Sequence, residues 1–278
     1  QLAAVWSDIQ LAMASLERIS EILTLESSMP LVADTTGKHG AAILAFDHVF
    51  FEYTSGTRVL SDVSFTLEKG KTYALVGPTG GGKTTTASLM ARLYDPTMGR
   101  VLLDGKDIRS YTPEERAQKI GFILQEPFLF HGTIGENILY GNTEHENLSS
   151  EGLLALLSSR GLEGLLSRFD GGLDMLVGTA DSMSLGQKQI IAFLRAVLRA
   201  PEILILDEAT ANIDTVTEQL LEEILQKLPK ETTKVVIAHR LNTIKDADEI
   251  FFVNSGEVVP AGSFDHALDM LMHGKRRS

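Results

Sequence analysis

The sequence predicts an α/β fold, a mostly parallel sheet flanked by helices. Three observations carry that prediction. Short apolar strands alternate with helical stretches along most of the chain. One such strand, Thr72 to Val76, runs straight into a glycine-rich loop. Another, Ile203 to Leu206, ends in two adjacent carboxylates, Asp207 and Glu208.

In chain order, residues 1–24 read as a helix, because Leu2, Val5, Trp6, Ile9, Met13, Leu16, Ile19 and Leu23 recur at helical spacing. Glu26 to Gly40 is rich in Ser, Thr, Gly and Pro and reads as a linker, so residues 1–40 are set apart from a globular part, 41–278. Ala41 to Tyr53 and Val59 to Leu67 are β-rich, joined by the turn residues Thr54-Ser-Gly56. After the strand Thr72 to Val76 and its loop, Lys83 to Leu93 reads as a helix, and Arg100 to Leu103 and Ile120 to Leu124 as strands. From about Thr133 to Arg168 leucines dominate at helical spacing, broken at Gly161, which marks a helical insertion. Strands return at Ile203–Leu206, Val235–Ala238 and Ile250–Val253.

Composition narrows the function. The net charge of −12 over 278 residues argues against nucleic acid, which needs a basic face. There is no cysteine, so disulfide and thiol chemistry are out, and the seven histidines show no zinc-like spacing. No apolar run is long enough to span a bilayer. The chain opens with Gln1 inside a helical pattern, and the expectation is a fragment of a longer polypeptide.

The loop Gly77-Pro78-Thr79-Gly80-Gly81-Gly82-Lys83-Thr84, followed by Thr85, fits the G-x-x-x-x-G-K-[ST] pattern. Glycines let backbone N–H groups turn inward, and those groups with the following helix N-terminus form an anion cradle. Lys83 supplies a mobile charge for outer phosphates, and the Thr84 hydroxyl suits Mg²⁺. Four fixed positions recur by chance in on the order of one chain in a hundred of this length. The strand before the loop and the helix after it decide in favour of nucleotide binding. Asp207 and Glu208 end a strand too apolar to be exposed, at the edge where open α/β sheets bind ligands. There Asp207 would hold Mg²⁺ through water, and Glu208 would polarise the attacking water.

These residues resemble the nucleotide-binding domain of ABC transporters, of the exporter type, over about residues 44–272. Several motifs occur in the family's order. Tyr53 matches the aromatic that stacks on adenine, and Gln125 the glutamine that reaches Mg²⁺ and the attacking water. Ser184-Leu-Gly186-Gln187 matches the signature L-S-G-G-Q, and Ala211 to Asp214 the loop that crosses to the partner. His239 matches the switch histidine at the γ-phosphate. The resemblance implies a P-loop NTPase core, an N-terminal antiparallel β subdomain and a helical subdomain at about 126–186. It implies ATP and Mg²⁺ as cofactors, with Glu208, His239 and Gln125 catalytic and Thr84, Gln125 and Asp207 on the metal. It implies a second ATPase domain as partner, transmembrane domains attached, and a place at the cytoplasmic face of the cell membrane. By the same analogy residues 1–40 end a connection from the membrane part, and Glu126 to His131 touch it.

Two departures stand out. The signature reads Met183-Ser-Leu185 where the family has Leu-Ser-Gly, which adds bulk and removes freedom beside the phosphate. Exporters of this family often pair two unlike chains, and with Glu208 intact the resemblance implies a heterodimer whose partner carries a substituted catalytic carboxylate. A homodimer that tolerates the change is the alternative. The stretch Gly178-Thr-Ala-Asp-Ser182 also lacks the Glu and second Gly that exporters often place there. Two other readings compete: a soluble ABC ATPase without a transport role, and a regulatory subunit that binds ATP but hardly hydrolyses it.

Overall fold

The computed structural model describes residues 2–24, 29–33, 42–178, 183–207, 219, 221–222, 224–225, 228–237, 246–262, 266 and 269–270. Glu208, the loop Ala211 to Asp214, His239 and residues 179–182 lie outside the described residues. The chain divides into two compact units, Gln1–Leu31 and Val32–Ser278. Val32, in the stretch read as linker, belongs to the second because its N–H donates to the Arg109 carbonyl at 3.0 Å. The first unit contains the helix α1 (Leu2–Leu23), and Val5, Trp6, Ile9 and Leu16 on it are exposed. Among the described residues, no helix is long and apolar enough to cross a membrane.

The second unit opens with β1 (Ala42–Glu52) and β2 (Arg58–Glu68), which pair antiparallel. Then come β3 (Thr72–Val76), α2 (Lys83–Met90), β4 (Met98–Leu103), β5 (Lys106–Asp107), α3 (Pro113–Lys119) and β6 (Ile120–Ile123). The helical stretch carries β7 (Gly132–Thr133), α4 (Ile134–Leu139), α5 (Ser150–Ser159) and β8 (Leu176–Val177). After it follow α6 (Leu185–Leu198), β9 (Ile203–Asp207), β10 (Thr233–Ile237), β11 (Glu249–Asn254) and β12 (Glu257–Pro260).

The six-stranded sheet has the order β12-β11-β3-β10-β9-β6, parallel except for the edge strand β12. β9 is buried at every position, as a strand covered on both faces must be. Register places the ends that matter side by side: Ile237 of β10 lies opposite both Leu75 and Asp207. The loop after β3 and the carboxylate at the end of β9 therefore leave one edge of the sheet, one strand apart. The second sheet, β2-β1-β4-β5, is antiparallel. It shares a core with one face of the parallel sheet and with α2, through Leu44, Leu60, Leu89 and Ile205. The opposite face packs on α6, α4 and α5 through Ile138, Leu157, Ile190 and Leu204. Ile190 and Leu194 of α6 have no exposed surface, and burial of each contributes roughly 1.5–3 kcal/mol.

Three elements differ from the sequence reading. α2 ends at Met90, not Leu93, because Arg92 takes a left-handed φ of 51° and its buried guanidinium bonds Asp95 at 2.9 Å. Leu162 to Leu166 do not continue a helix. Gly161 takes φ 67°, and its N–H and that of Leu162 return to the carbonyls of Ser158 and Leu157, an αL stop after which the chain makes a 3₁₀ turn, Glu163–Arg168. α3 was not anticipated, although Thr112-Pro113-Glu-Glu115 carries its start signal, a capping box with Pro at the first turn.

Candidate nucleotide site

The loop 77–82 joins β3 to α2 and lies hard against β11. A Cβ at Gly77 would stand 1.9 Å from the carbonyl oxygen of Val253, and φ there is 147°. Only glycine fits, so the backbone itself forms the floor of the cradle. Gly82, at φ 111°, is the N-cap of α2, and no side chain caps that helix. A helix start without a side-chain cap is the kind of place where backbone N–H groups bind anions.

Lys83 is 5% exposed, and its Nζ donates to the carbonyls of Gly77 at 2.8 Å and Pro78 at 3.0 Å. The ammonium is folded into the loop that precedes it, at the place where phosphate charge would sit. Thr84 points out of the helix start, and its Oγ1 donates to Asp207 Oδ1 at 3.3 Å. Asp207 is 4% exposed, buried by the strands around it. Two motifs 123 residues apart in sequence thus meet through the two oxygens expected to share a metal ion.

Beside them is a cleft of about 290 Å³ lined by Tyr53, Val59, Thr79, Gly80 and Gly82 to Thr85. Lys83 is the one charged side chain among those lining residues, so the cleft favours an anion. Tyr53, just past β1, is 52% exposed at its edge. Its hydroxyl meets Thr85 Oγ1 at 3.0 Å, and its ring is held edge-on by Phe51 and Tyr94. Larger cavities of about 370 and 540 Å³ lie elsewhere. One is walled mainly by apolar residues such as Val197 and Leu204, and the other carries Glu136, Glu146 and Asp174, so neither suits a triphosphate.

Gln125 follows β6, whose Ile123 lies opposite Leu206, so it leaves the sheet at the same edge as Asp207. Its side chain is exposed, and its carbonyl accepts from Gln189 Nε2 at 2.5 Å. Ser184, Gly186 and Gln187 do not line the cleft. They begin α6, where Ser184 Oγ accepts from the Gln187 N–H at 3.2 Å and Gln187 Oε1 accepts from the Ser184 N–H at 3.0 Å. Leu185 is the first residue of that helix. The position takes helical backbone, with Ser184 as its N-cap. The sequence reading did not single out Val59, Tyr94, Val253 or Gln189. Only Gln189 had a legible signal, a polar residue within the apolar run of α6.

A family model described as "ABC transporter" matches residues 60–211. The chain belongs to the ABC transporter family. It is 38% identical over 268 residues to a fatty acid ABC transporter ATP-binding/permease protein of Mycobacterium bovis, covering 95% of this chain and 41% of that protein. It is 36% identical over 274 residues to a mycobactin import ATP-binding/permease protein of Mycolicibacterium thermoresistibile, covering 94% of this chain and 29% of that protein. Among solved structures, a bacterial Atm1-family ABC exporter with ATP bound superposes with a TM-score of 0.79 at 32% identity, covering 99% of this chain and 48% of that one. The chain thus spans less than half the length of each of these relatives.

Proposed function

We propose that this chain is the ATP-binding and ATP-hydrolysing part of an ABC exporter, in which two such domains close around ATP to drive transport across a membrane. The contact of Thr84 Oγ1 with Asp207 Oδ1 carries the reading. It sets two hard oxygen donors beside an uncapped helix start and a buried lysine, a donor set that suits Mg²⁺ and phosphate. Mg²⁺, when bound, would neutralise charge on the outer phosphate oxygens.

The chain's own residues then have these roles. Lys83 exchanges its bonds to Gly77 and Pro78 for the outer phosphates. Backbone N–H groups from Gly77 to Thr85 hold the phosphate chain, with Pro78, Thr79, Gly80 and Gly81 shaping the turn. Thr84 and Gln125 would hold the metal, with Asp207 holding it through water. Tyr53 stacks on the adenine, a role supported by its half-exposed ring at the cleft edge. Glu208, next after Asp207, takes the proton of the attacking water. His239, two residues beyond the end of β10, contacts the γ-phosphate.

Ser184, Gly186, Gln187 and Asp214 serve the site of a second ATPase domain. That partner is an unlike chain, the heterodimer favoured by the altered signature. Transmembrane domains attach to this chain, which lies at the cytoplasmic face of the cell membrane. Their contact is at Glu126 to His131, a segment supported by the exposed Phe128 and by Phe130 stacked on Tyr140 at 3.9 Å. One relative is named an importer, so direction needs its own test: uptake into inside-out vesicles, which export requires.

The Glu208→Gln variant of the full protein tests the core of this reading. It is expected to bind ATP, hydrolyse it at least ~100-fold more slowly, and accumulate as a closed pair of domains. Hydrolysis at the parental rate would remove Glu208 from its role.

A further inference from the structure

We propose that Gln189 is a positioning residue for Gln125, the side chain through which α6 sets the place of the Gln125 loop at the nucleotide site. The inference rests on the reading of Gln125 as a metal and water ligand. Gln189 is the one polar side chain among the buried residues of α6, and it is 1% exposed. Its Nε2 donates to two successive carbonyls, Leu124 at 3.3 Å and Gln125 at 2.5 Å. Both partners are acceptors, which forces the nitrogen toward the loop and the oxygen away from it. That oxygen is buried and, among the described residues, has no hydrogen-bond partner.

A buried amide with an unmet acceptor is costlier than a leucine of similar size. Its use therefore lies on the nitrogen side, in the peptide it grips. The side chains of Leu124 and Gln125 are exposed, and it is their backbone carbonyls that Gln189 grips. Six residues further along α6, Arg195 Nη1 donates to the Phe128 carbonyl at 3.1 Å, and its Nε donates to the Asn137 carbonyl at 2.8 Å. The same helix thus holds the loop at two points. It also begins with Ser184, five residues before Gln189, which is about 7.5 Å along the axis.

The test uses the full protein and three variants, Gln125→Ala, Gln189→Leu and the pair. Expected for Gln189→Leu is an unchanged thermal midpoint and unchanged binding of an ATP analogue without Mg²⁺. The Mg²⁺ concentration for half-maximal hydrolysis rises about three- to tenfold, the worth of one hydrogen bond. Gln125→Ala gives a similar shift, and the double variant adds little to it. If Gln125→Ala leaves the Mg²⁺ dependence unmoved, the reading of Gln125 falls and this inference with it. If Gln125→Ala shifts it and Gln189→Leu does not, the inference alone is overturned. Multiplying shifts in the double variant, or a lost thermal midpoint with an unshifted Mg²⁺ dependence, overturn it as well. Should Gln189→Leu not fold, Gln189→Met is scored by the same readouts.

Discussion

Two helices begin at the two glycine-bearing motifs, and their first turns are finished in opposite ways. α2 starts from Gly82, in a left-handed backbone, and no side chain caps it. α6 starts from Ser184, and Ser184 and Gln187 satisfy each other's N–H groups in a complete capping box. The second motif supplies its own cap from side chains. Glycine also plays a different part in each motif. At Gly77 a side chain would collide with the Val253 carbonyl, whereas Leu185 occupies an ordinary helical position.

The largest test of this contrast is Gly77→Ala. A Cβ 1.9 Å from a backbone oxygen, at φ 147°, adds overpacking to backbone strain. The expected loss of stability is about 2–5 kcal/mol, read by denaturant titration, with nucleotide binding reduced more than ~100-fold. Normal binding by this variant would show that the loop need not press on β11. Next in size is Lys83→Met. The ammonium is held by two carbonyls of its own loop, so its removal should leave the fold intact. Binding of a fluorescent ATP analogue should fall about ten- to hundredfold, the worth of a charged hydrogen bond to phosphate. A matching fall in thermal midpoint would make Lys83 a structural prop of the loop instead.

In the second motif the effects should be smaller. Ser184→Ala removes a cap worth about 1 kcal/mol, and Ser184→Asp, which also caps, should restore that stability. ATP hydrolysis separates the two roles. Restored stability with hydrolysis still impaired places the serine hydroxyl on a partner's nucleotide. Recovery of both by aspartate would confine Ser184 to capping.

Much of this architecture was legible in the sequence because its signals are local. The run Tyr73 to Val76 before a glycine loop, and Ile203 to Leu206 before an acid, are buried strands by composition alone, and both are interior strands of the parallel sheet. The contact of Thr84 with Asp207 was legible only as a consequence of order, since no pattern measures a distance across 123 residues. What stayed hidden is what depends on tertiary packing. The early end of α2 is set by Arg92 reaching Asp95 and the Arg109 carbonyl, a bond that helical periodicity cannot report. The two-residue ribbons β7 and β8 are too short for any period to register. The role of Gly77 needed Val253, a neighbour from a strand near the other end of the chain.

The smallest expected effect is also the most discriminating. Leu185→Gly restores the family's residue at the position that suggested an unlike partner. Helix propensity makes glycine worse than leucine by roughly 0.5–1 kcal/mol in a helix interior, so at the first turn the stability change should be no larger than that. Leu185 is partly buried, and only modest apolar contact is lost with it. If the leucine is merely tolerated, hydrolysis by the full protein changes by less than about twofold, because neither the cap nor the cleft is touched. If leucine blocks approach of a phosphate held by a second domain, removing its bulk raises hydrolysis at the site it completes, with the thermal midpoint slightly lowered. A rise in activity against a fall in stability cannot come from improved folding. Measured with the chain alone and then with an unlike subunit, the same variant shows which pairing places the leucine at a phosphate. A rise only in the mixed pair identifies the heterodimer, and a rise in the chain alone identifies the homodimer.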